Sequence, residues 1–288
     1  PIVRTFGWST MILSILLACT TPETPSEPLV LSNTRLLRRM SLDIRGILPS
    51  EEEYNSVQQN DVDWNSIAFE LMDDPRFEIQ MVHRFGELWH TRVDEFDIVA
   101  DDYDLDPFEW WFPFTRSVGE EPLRWMAHVA SHDLPWTDIV TSDTTMANSV
   151  IASIFPVEFV DGSPNPNTTD LDYRNTEDWK IARYTDGRPP VGVLSTNGLW
   201  WRYPTDSFNM NRTRAAMMTR LLLCDDYLAR PIDFAAGSNI LENTEDAVQN
   251  DPSCLTCHAS LDPLAASMFG FWWVERYNPL EATYYHPE

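Results

Sequence analysis

The stretch Arg76-Phe77-Glu78-Ile79-Gln80-Met81-Val82-His83-Arg84-Phe85-Gly86-Glu87-Leu88-Trp89-His90-Thr91-Arg92-Val93 carries a clear helical signal. Phe77, Met81, Phe85, Leu88 and Trp89 recur at three- and four-residue spacing, so they line one face of a helix. Working outward, Asp63 to Asp73 continues the pattern upstream, and Ser50-Glu51-Glu52-Glu53 is a capping box that opens a helix. Downstream, Leu123, Met126, Ala127 and Ala130 predict a helix from Glu121 to His132. Asn211 to Cys224, rich in Ala, Met, Arg and Leu, predicts another. Between Pro156 and Pro190 the periodicity lapses into Gly, Pro, Asn, Asp and Thr, as in Asp161-Gly162-Ser163-Pro164-Asn165-Pro166-Asn167. That segment is expected to be an irregular loop, with a short strand or two near Gly192 to Leu194. The expected fold class is mainly α with long irregular loops: a helical N-terminal domain over 32–155, a linker over 156–190 and a second helical module over 191–288. No repeat of solenoid period is visible.

With 43% hydrophobic and 23% charged residues, the composition is that of a folded globular chain. The 45 Asp and Glu against 20 Lys and Arg give a formal net charge of −25. Such a surface repels nucleic-acid phosphates, so no nucleic-acid partner is expected; it either favours a basic protein partner or serves only to keep the chain in solution. Twelve Trp fall partly in aromatic clusters: Phe108-Glu109-Trp110-Trp111-Phe112, Trp200-Trp201-Arg202-Tyr203 and Phe269-Gly270-Phe271-Trp272-Trp273. Clusters of this kind are usually core, and can also wall a flat cofactor or stack on sugars.

Near the N-terminus, Arg4 precedes the apolar run Trp8 to Cys19, which has signal-peptide length. It closes as Leu16-Leu17-Ala18-Cys19, similar to the lipobox at which bacterial lipoproteins are cleaved and lipidated on the cysteine. Residues 1–19 are therefore expected to be a lipoprotein signal peptide, with Cys19 the lipidation site. The Pro- and Thr-rich residues 20–31 that follow suit a tether to a membrane. The expected location is the cell envelope, on a periplasm-facing or surface lipoprotein of the outer membrane.

Cys254-Leu255-Thr256-Cys257-His258 is Cys-x-x-Cys-His, the attachment signature of c-type haem. Two cysteines three apart can reach the two vinyl groups on one porphyrin edge. The adjacent histidine then supplies the proximal nitrogen to iron. One covalent haem c bound by Cys254, Cys257 and His258 is the expected cofactor. A Cys254–Cys257 disulfide would leave His258 unexplained, and a zinc site would need a fourth ligand. Cys224 is expected to be a buried thiol. Met268 and Met210 are the candidates for the distal iron ligand, while His90, His128, His132 and His286 are read as surface or internally satisfied histidines. The acidic run Asp101-Asp102-Tyr103-Asp104-Leu105-Asp106 lacks the glycine and terminal glutamate of a calcium loop and is read as solvated.

Several motifs together resemble one family. Gly192-Val193-Leu194-Ser195, Asn211-Arg212-Thr213-Arg214, Leu222-Leu223-Cys224 and Cys254 to His258 with Leu261-Asp262-Pro263-Leu264 are similar to the C-terminal cytochrome c-like domain of exported proteins of planctomycete and myxobacterial type. Asn33 to Pro49, Asp73-Asp74-Pro75-Arg76-Phe77 and Phe85-Gly86-Glu87-Leu88-Trp89 resemble the companion N-terminal domain. After Asp262-Pro263-Leu264 this chain has Ala265-Ala266-Ser267-Met268-Phe269-Gly270-Phe271, where the family usually continues with Gly and a Leu-Glu-Asn-Phe-Asp-like run. The resemblance implies a cytochrome c-like module over 191–288. It assigns no reaction.

The expected function is electron transfer by a lipid-anchored monohaem protein working with a redox partner, an electron carrier rather than a catalyst. One alternative is an envelope scaffold or polysaccharide-binding lipoprotein with structural haem, its sugars stacked on the Trp110 and Trp200 clusters. The other is a haem peroxidase-like enzyme with an open iron position.

Overall fold

A computed structural model describes residues 31–58, 61–206, 208–231, 244–271 and 285, and among these the chain is mainly helical. Its helices are α1 (Asn33–Arg45), α2 (Glu51–Ser56), α3 (Trp64–Met72), α4 (Arg76–Trp89), α5 (Pro107–Ser131), α6 (Asp138–Thr141), α7 (Ser149–Ile154), α8 (Asn197–Arg202), α9 (Arg212–Leu222), α10 (Thr244–Asn250) and α11 (Pro252–Ala266). Three short strands, β1 (Thr145–Ala147), β2 (Val157–Phe159) and β3 (Lys180–Tyr184), complete it. No described helix is long and apolar enough to cross a membrane.

The chain divides into two units. In the smaller, formed from residues up to 42 and from 47 to 63, the expected capping box is present. The Glu53 amide donates to the Ser50 hydroxyl at 3.2 Å, and the Ser50 amide donates to the Glu53 carboxylate at 2.6 Å. Leu37 and Val57 are buried there, and the Asn33 side chain donates to the Val57 carbonyl at 3.0 Å.

The larger unit is built around α5. Pro107 occupies its first turn, where no N–H is required, and the Asp106 carboxylate accepts from the Phe108 amide at 2.8 Å. The helix runs fourteen residues further upstream than the periodicity from Glu121 predicts. Pro113 and Pro122 both lie inside it, and a proline ordinarily marks a helix end. Packing overrides that preference, because every residue from Ser117 to Ala127 is buried. A helix covered all round also shows no amphipathic stripe. Its first half contributes Trp110, Phe114 and Val118 to one apolar cluster with Phe96, Val150 and Phe155. Its second half contributes Leu123, Met126 and Val129 to another, shared with Val82, Trp89, Leu199, Ala215 and Leu261. The adjacent Trp200 and Trp201 on α8 enter different clusters.

This packing differs from the expected division at 156–190. That segment holds β2 and β3, and β3 pairs antiparallel with β1 on one side (Thr145 opposite Ala182) and β2 on the other (Phe159 opposite Ala182). Residues on both sides of it share one core, as Leu123 with Leu199 and Leu261 shows. The strand expected near Gly192 is instead a 3-10 turn, Gly192–Ser195. Gly192 has φ +56°, and a Cβ there would lie 2.2 Å from the Ile139 carbonyl oxygen. Only glycine fits that close approach.

α8 meets α5 still more closely. Pro122 has no N–H to return to the Val118 carbonyl, and at that carbonyl a Cβ on Gly198 would lie only 1.9 Å from the oxygen. The glycine lets α8 cover a backbone group that the proline leaves without its helical partner.

Buried charge on α5 is paired side by side. The Glu120 carboxylate takes Arg92 at 2.6 Å, Arg116 at 2.9 Å and Arg124 at 2.7 Å. Burial acts to raise its pKa, but Arg124, Arg92 and Arg116 together outweigh burial and hold it below the usual carboxylate range. Glu121, fully buried, makes no ion pair within contact distance among the described residues, and the charge of Arg188 opposes its burial only in part. It accepts from the Tyr184 hydroxyl at 2.9 Å and the Thr145 hydroxyl at 3.0 Å, and burial pushes it up to about 7.

Two outcomes follow from α5. Gly198→Ala drives a methyl into the Val118 carbonyl and should cost on the order of 3 kcal/mol in denaturant unfolding; an unchanged midpoint would show that the helices do not meet this closely. Glu121 is protonated in the folded protein and ionised in the unfolded chain between its ordinary value of 4.5 and about 7. Its contribution to stability is therefore present below that window and lost as pH rises through it. Glu121→Gln should gain on the order of 3 kcal/mol relative to the parent between pH 4.5 and pH 8. Parallel stability curves for the two proteins would remove the buried acid from the account.

Candidate functional site

The Cys-x-x-Cys-His segment forms the first two turns of α11. Asp251 caps the helix by accepting from the Ser253 amide at 2.8 Å, and Pro252 starts it. Cys254, Cys257, His258, Leu261 and Ala265 follow at three- and four-residue spacing and share one stripe. Leu261 and Ala265 are buried in the core, whereas Cys254, Cys257 and His258 are half-buried. Both thiols are free, with no disulfide between them. Cys257 packs against the main core and its thiol donates to the Tyr227 carbonyl at 3.9 Å.

His258 is oriented from its own helix. Its Nδ1 lies 3.0 Å from Asp262 one turn on. Asp262 in turn takes the Arg212 guanidinium in a two-point contact, 2.7 and 3.0 Å. The bond from Arg212, above all, holds the Asp262 carboxyl below its usual range. With Nδ1 engaged, Nε2 is the ring nitrogen left for a metal, the arrangement that metal-ligating histidines use. The donor set therefore fits a c-type haem: two unpaired thiols one turn apart and an imidazole whose other nitrogen is anchored.

Around the same turns, Arg230 donates to the Thr256 carbonyl at 3.0 Å, stacks over Tyr227 at 4.1 Å and pairs with Asp225. Tyr227 and Ser260 hydrogen-bond through their hydroxyls at 2.9 Å. Asp262, Arg212, Tyr227 and Arg230 were not assigned roles from sequence. The signal for Asp262 lies in its i, i+4 spacing from His258, and that for Arg212 in the Asn211-Arg212-Thr213-Arg214 motif.

The two distal candidates part company. Met268 is buried in the core with Leu261 and Ala265, and its backbone carbonyl accepts from the Asn211 side chain at 3.1 Å. α11 runs unbroken from His258 to Ala266, about 12 Å of axial rise, so Met268 lies along the helix from His258 rather than across from it. Met210 is half exposed, with φ 50°, two residues from Arg212. It lines a cleft of about 280 Å³ together with Arg212, Asp262 and Phe269.

Cys224 is exposed rather than buried, because it sits just past the end of α9 in a left-handed conformation, φ 55°, that turns it off the helix face. Trp110 and Trp200, the aromatic platforms of the polysaccharide reading, are 6% and 3% exposed and belong to the core. Cys19 with the leader, nearly all of the tether, Trp272, Trp273 and His286 lie outside the described residues.

No protein-family model, curated protein or solved structure matches the chain.

Made without haem attachment and with Cys19 replaced by serine, the native protein should titrate three thiols: Cys224 rapidly, Cys254 and Cys257 more slowly. A single reactive thiol would establish a Cys254–Cys257 disulfide instead.

Proposed function

We propose that this chain is an exported, lipid-anchored monohaem c-type cytochrome-like protein that transfers electrons in the cell envelope. The observation that carries the reading is the Cys254–Cys257–His258 set on one helix, with His258 Nδ1 fixed by the Asp262–Arg212 pair. When bound, haem c supplies a one-electron couple. Cys254 and Cys257 would hold it by two thioether bonds, and His258 would present Nε2 to the iron. Asp262 fixes the ring's orientation and raises its basicity, which stabilises the oxidised form. Arg212 keeps Asp262 ionised and in place.

Met268 is committed to the core, so Met210, half exposed, would be the methionine left to reach the iron as a second protein ligand. A net charge of −25 supports docking to a basic redox partner. The lipobox ending in Cys19, the tether that follows and the likeness to exported cytochrome c-like proteins support anchorage in the envelope, at the outer membrane.

The test is expression of the mature protein in a periplasm with haem-attachment machinery, followed by acid–acetone extraction and a pyridine haemochrome spectrum. A c-type band that survives extraction and is lost in the Cys254→Ser, Cys257→Ser double variant is the expected result. Met210→Ala should then convert a low-spin reduced spectrum to high-spin. Absence of a band overturns the haem reading.

A further inference from the structure

On different elements, Glu78 in the first turn of α4 faces His128 in the last turn of α5 and His132 at its C-cap, two helices that pack side by side. We infer that these three side chains form a binding site for a divalent first-row transition ion, of which zinc is the best match. One ligand atom from each lies within 4.8 Å of those of the other two. Tetrahedral zinc with bonds of about 2.1 Å places its donors about 3.4 Å apart, so small side-chain rotations close the site.

The donors are held. The His128 ring stacks on Trp125, with centroids 5.6 Å apart and planes at 22°. The two imidazoles lie 3.9 Å apart, centroid to centroid. His132 Nδ1 sits 3.0 Å from the His128 carbonyl oxygen, so an N–H there donates to that oxygen and Nε2 carries the lone pair. The Ser131 hydroxyl reaches the Glu78 carboxylate at 3.3 Å and His132 Nδ1 at 3.0 Å, tying two of the three ligands to one side chain. Two histidines four apart on a helix present both imidazoles on one face, and the C-terminal end of a long helix favours a cation. Two imidazoles and one carboxylate suit zinc, nickel or copper better than calcium or magnesium, and leave a coordination position for water. A bound ion would clamp α4 to α5.

The test uses the untagged full chain. Co2+ should bind one equivalent with visible d–d bands and without the near-ultraviolet charge-transfer band that thiolates at Cys254 and Cys257 would produce. Zinc should displace it and raise the unfolding temperature. His132 is exposed, so His132→Ala should fold normally. It should weaken zinc binding at least about tenfold and remove the thermal shift. Glu78→Gln should act in the same direction, and His258→Ala should leave binding unchanged. Unaltered binding in both His132→Ala and Glu78→Gln, cobalt bound only with a thiolate band, or no binding at all would overturn the site.

Discussion

The larger unit depends on one backbone contact. Pro122 removes the hydrogen bond that would close on the Val118 carbonyl, in the middle of a helix buried on every side, and Gly198 brings α8 directly against that oxygen. A buried carbonyl without cover is costly. Proline on one helix and glycine on another are thus two halves of a single solution. The position of α8 then sends Trp200 and Trp201 into separate apolar clusters.

Burying α5 also commits its acidic pair to contrasting environments. Glu120 is ringed by three guanidinium groups and stays ionised, while its neighbour Glu121 meets a tyrosine and a threonine hydroxyl and is held near neutrality. Successive residues on a helix point about 100° apart, so adjacency in sequence does not mean a shared environment. Arg214 shows the same principle. Fully buried, it is satisfied by the Tyr203, Trp200 and Phe271 carbonyls and the Asn211 side chain, and burial lowers its pKa to about 9.

Much of the helical content was legible because it rests on local signals. The Ser50–Glu53 capping box, the spaced apolar residues of α4 and the composition of α9 all lie within a few turns of chain. The front half of α5 was not legible, since Pro113 and Pro122 argue locally for a break and only distant packing overrides them. The sheet was hidden for a related reason. Its strands are three to five residues long, and Thr145 finds its partner Ala182 far along the chain. At the haem-type motif the cysteines and histidine were plain from spacing. The Asp262–Arg212 support needed the fold to bring α9 against α11, and Met268 could be placed in the core only once α11 was known to run unbroken to Ala266.

The cover that α8 gives to the Val118 carbonyl carries a consequence for how the chain is made. Synthesis and any transport across a membrane deliver the polypeptide from its N-terminus. α5 is complete at residue 131, but Glu177, Tyr184 and Gly198, which neutralise or cover its central turns, emerge only some fifty to seventy residues afterwards. Until they arrive, the Val118 carbonyl lacks Gly198 and the Glu121 carboxylate lacks Tyr184, whereas Glu120 already has Arg92, Arg116 and Arg124. The larger unit therefore cannot complete its packing until α8 has been made, so its longest helix waits on one of six residues.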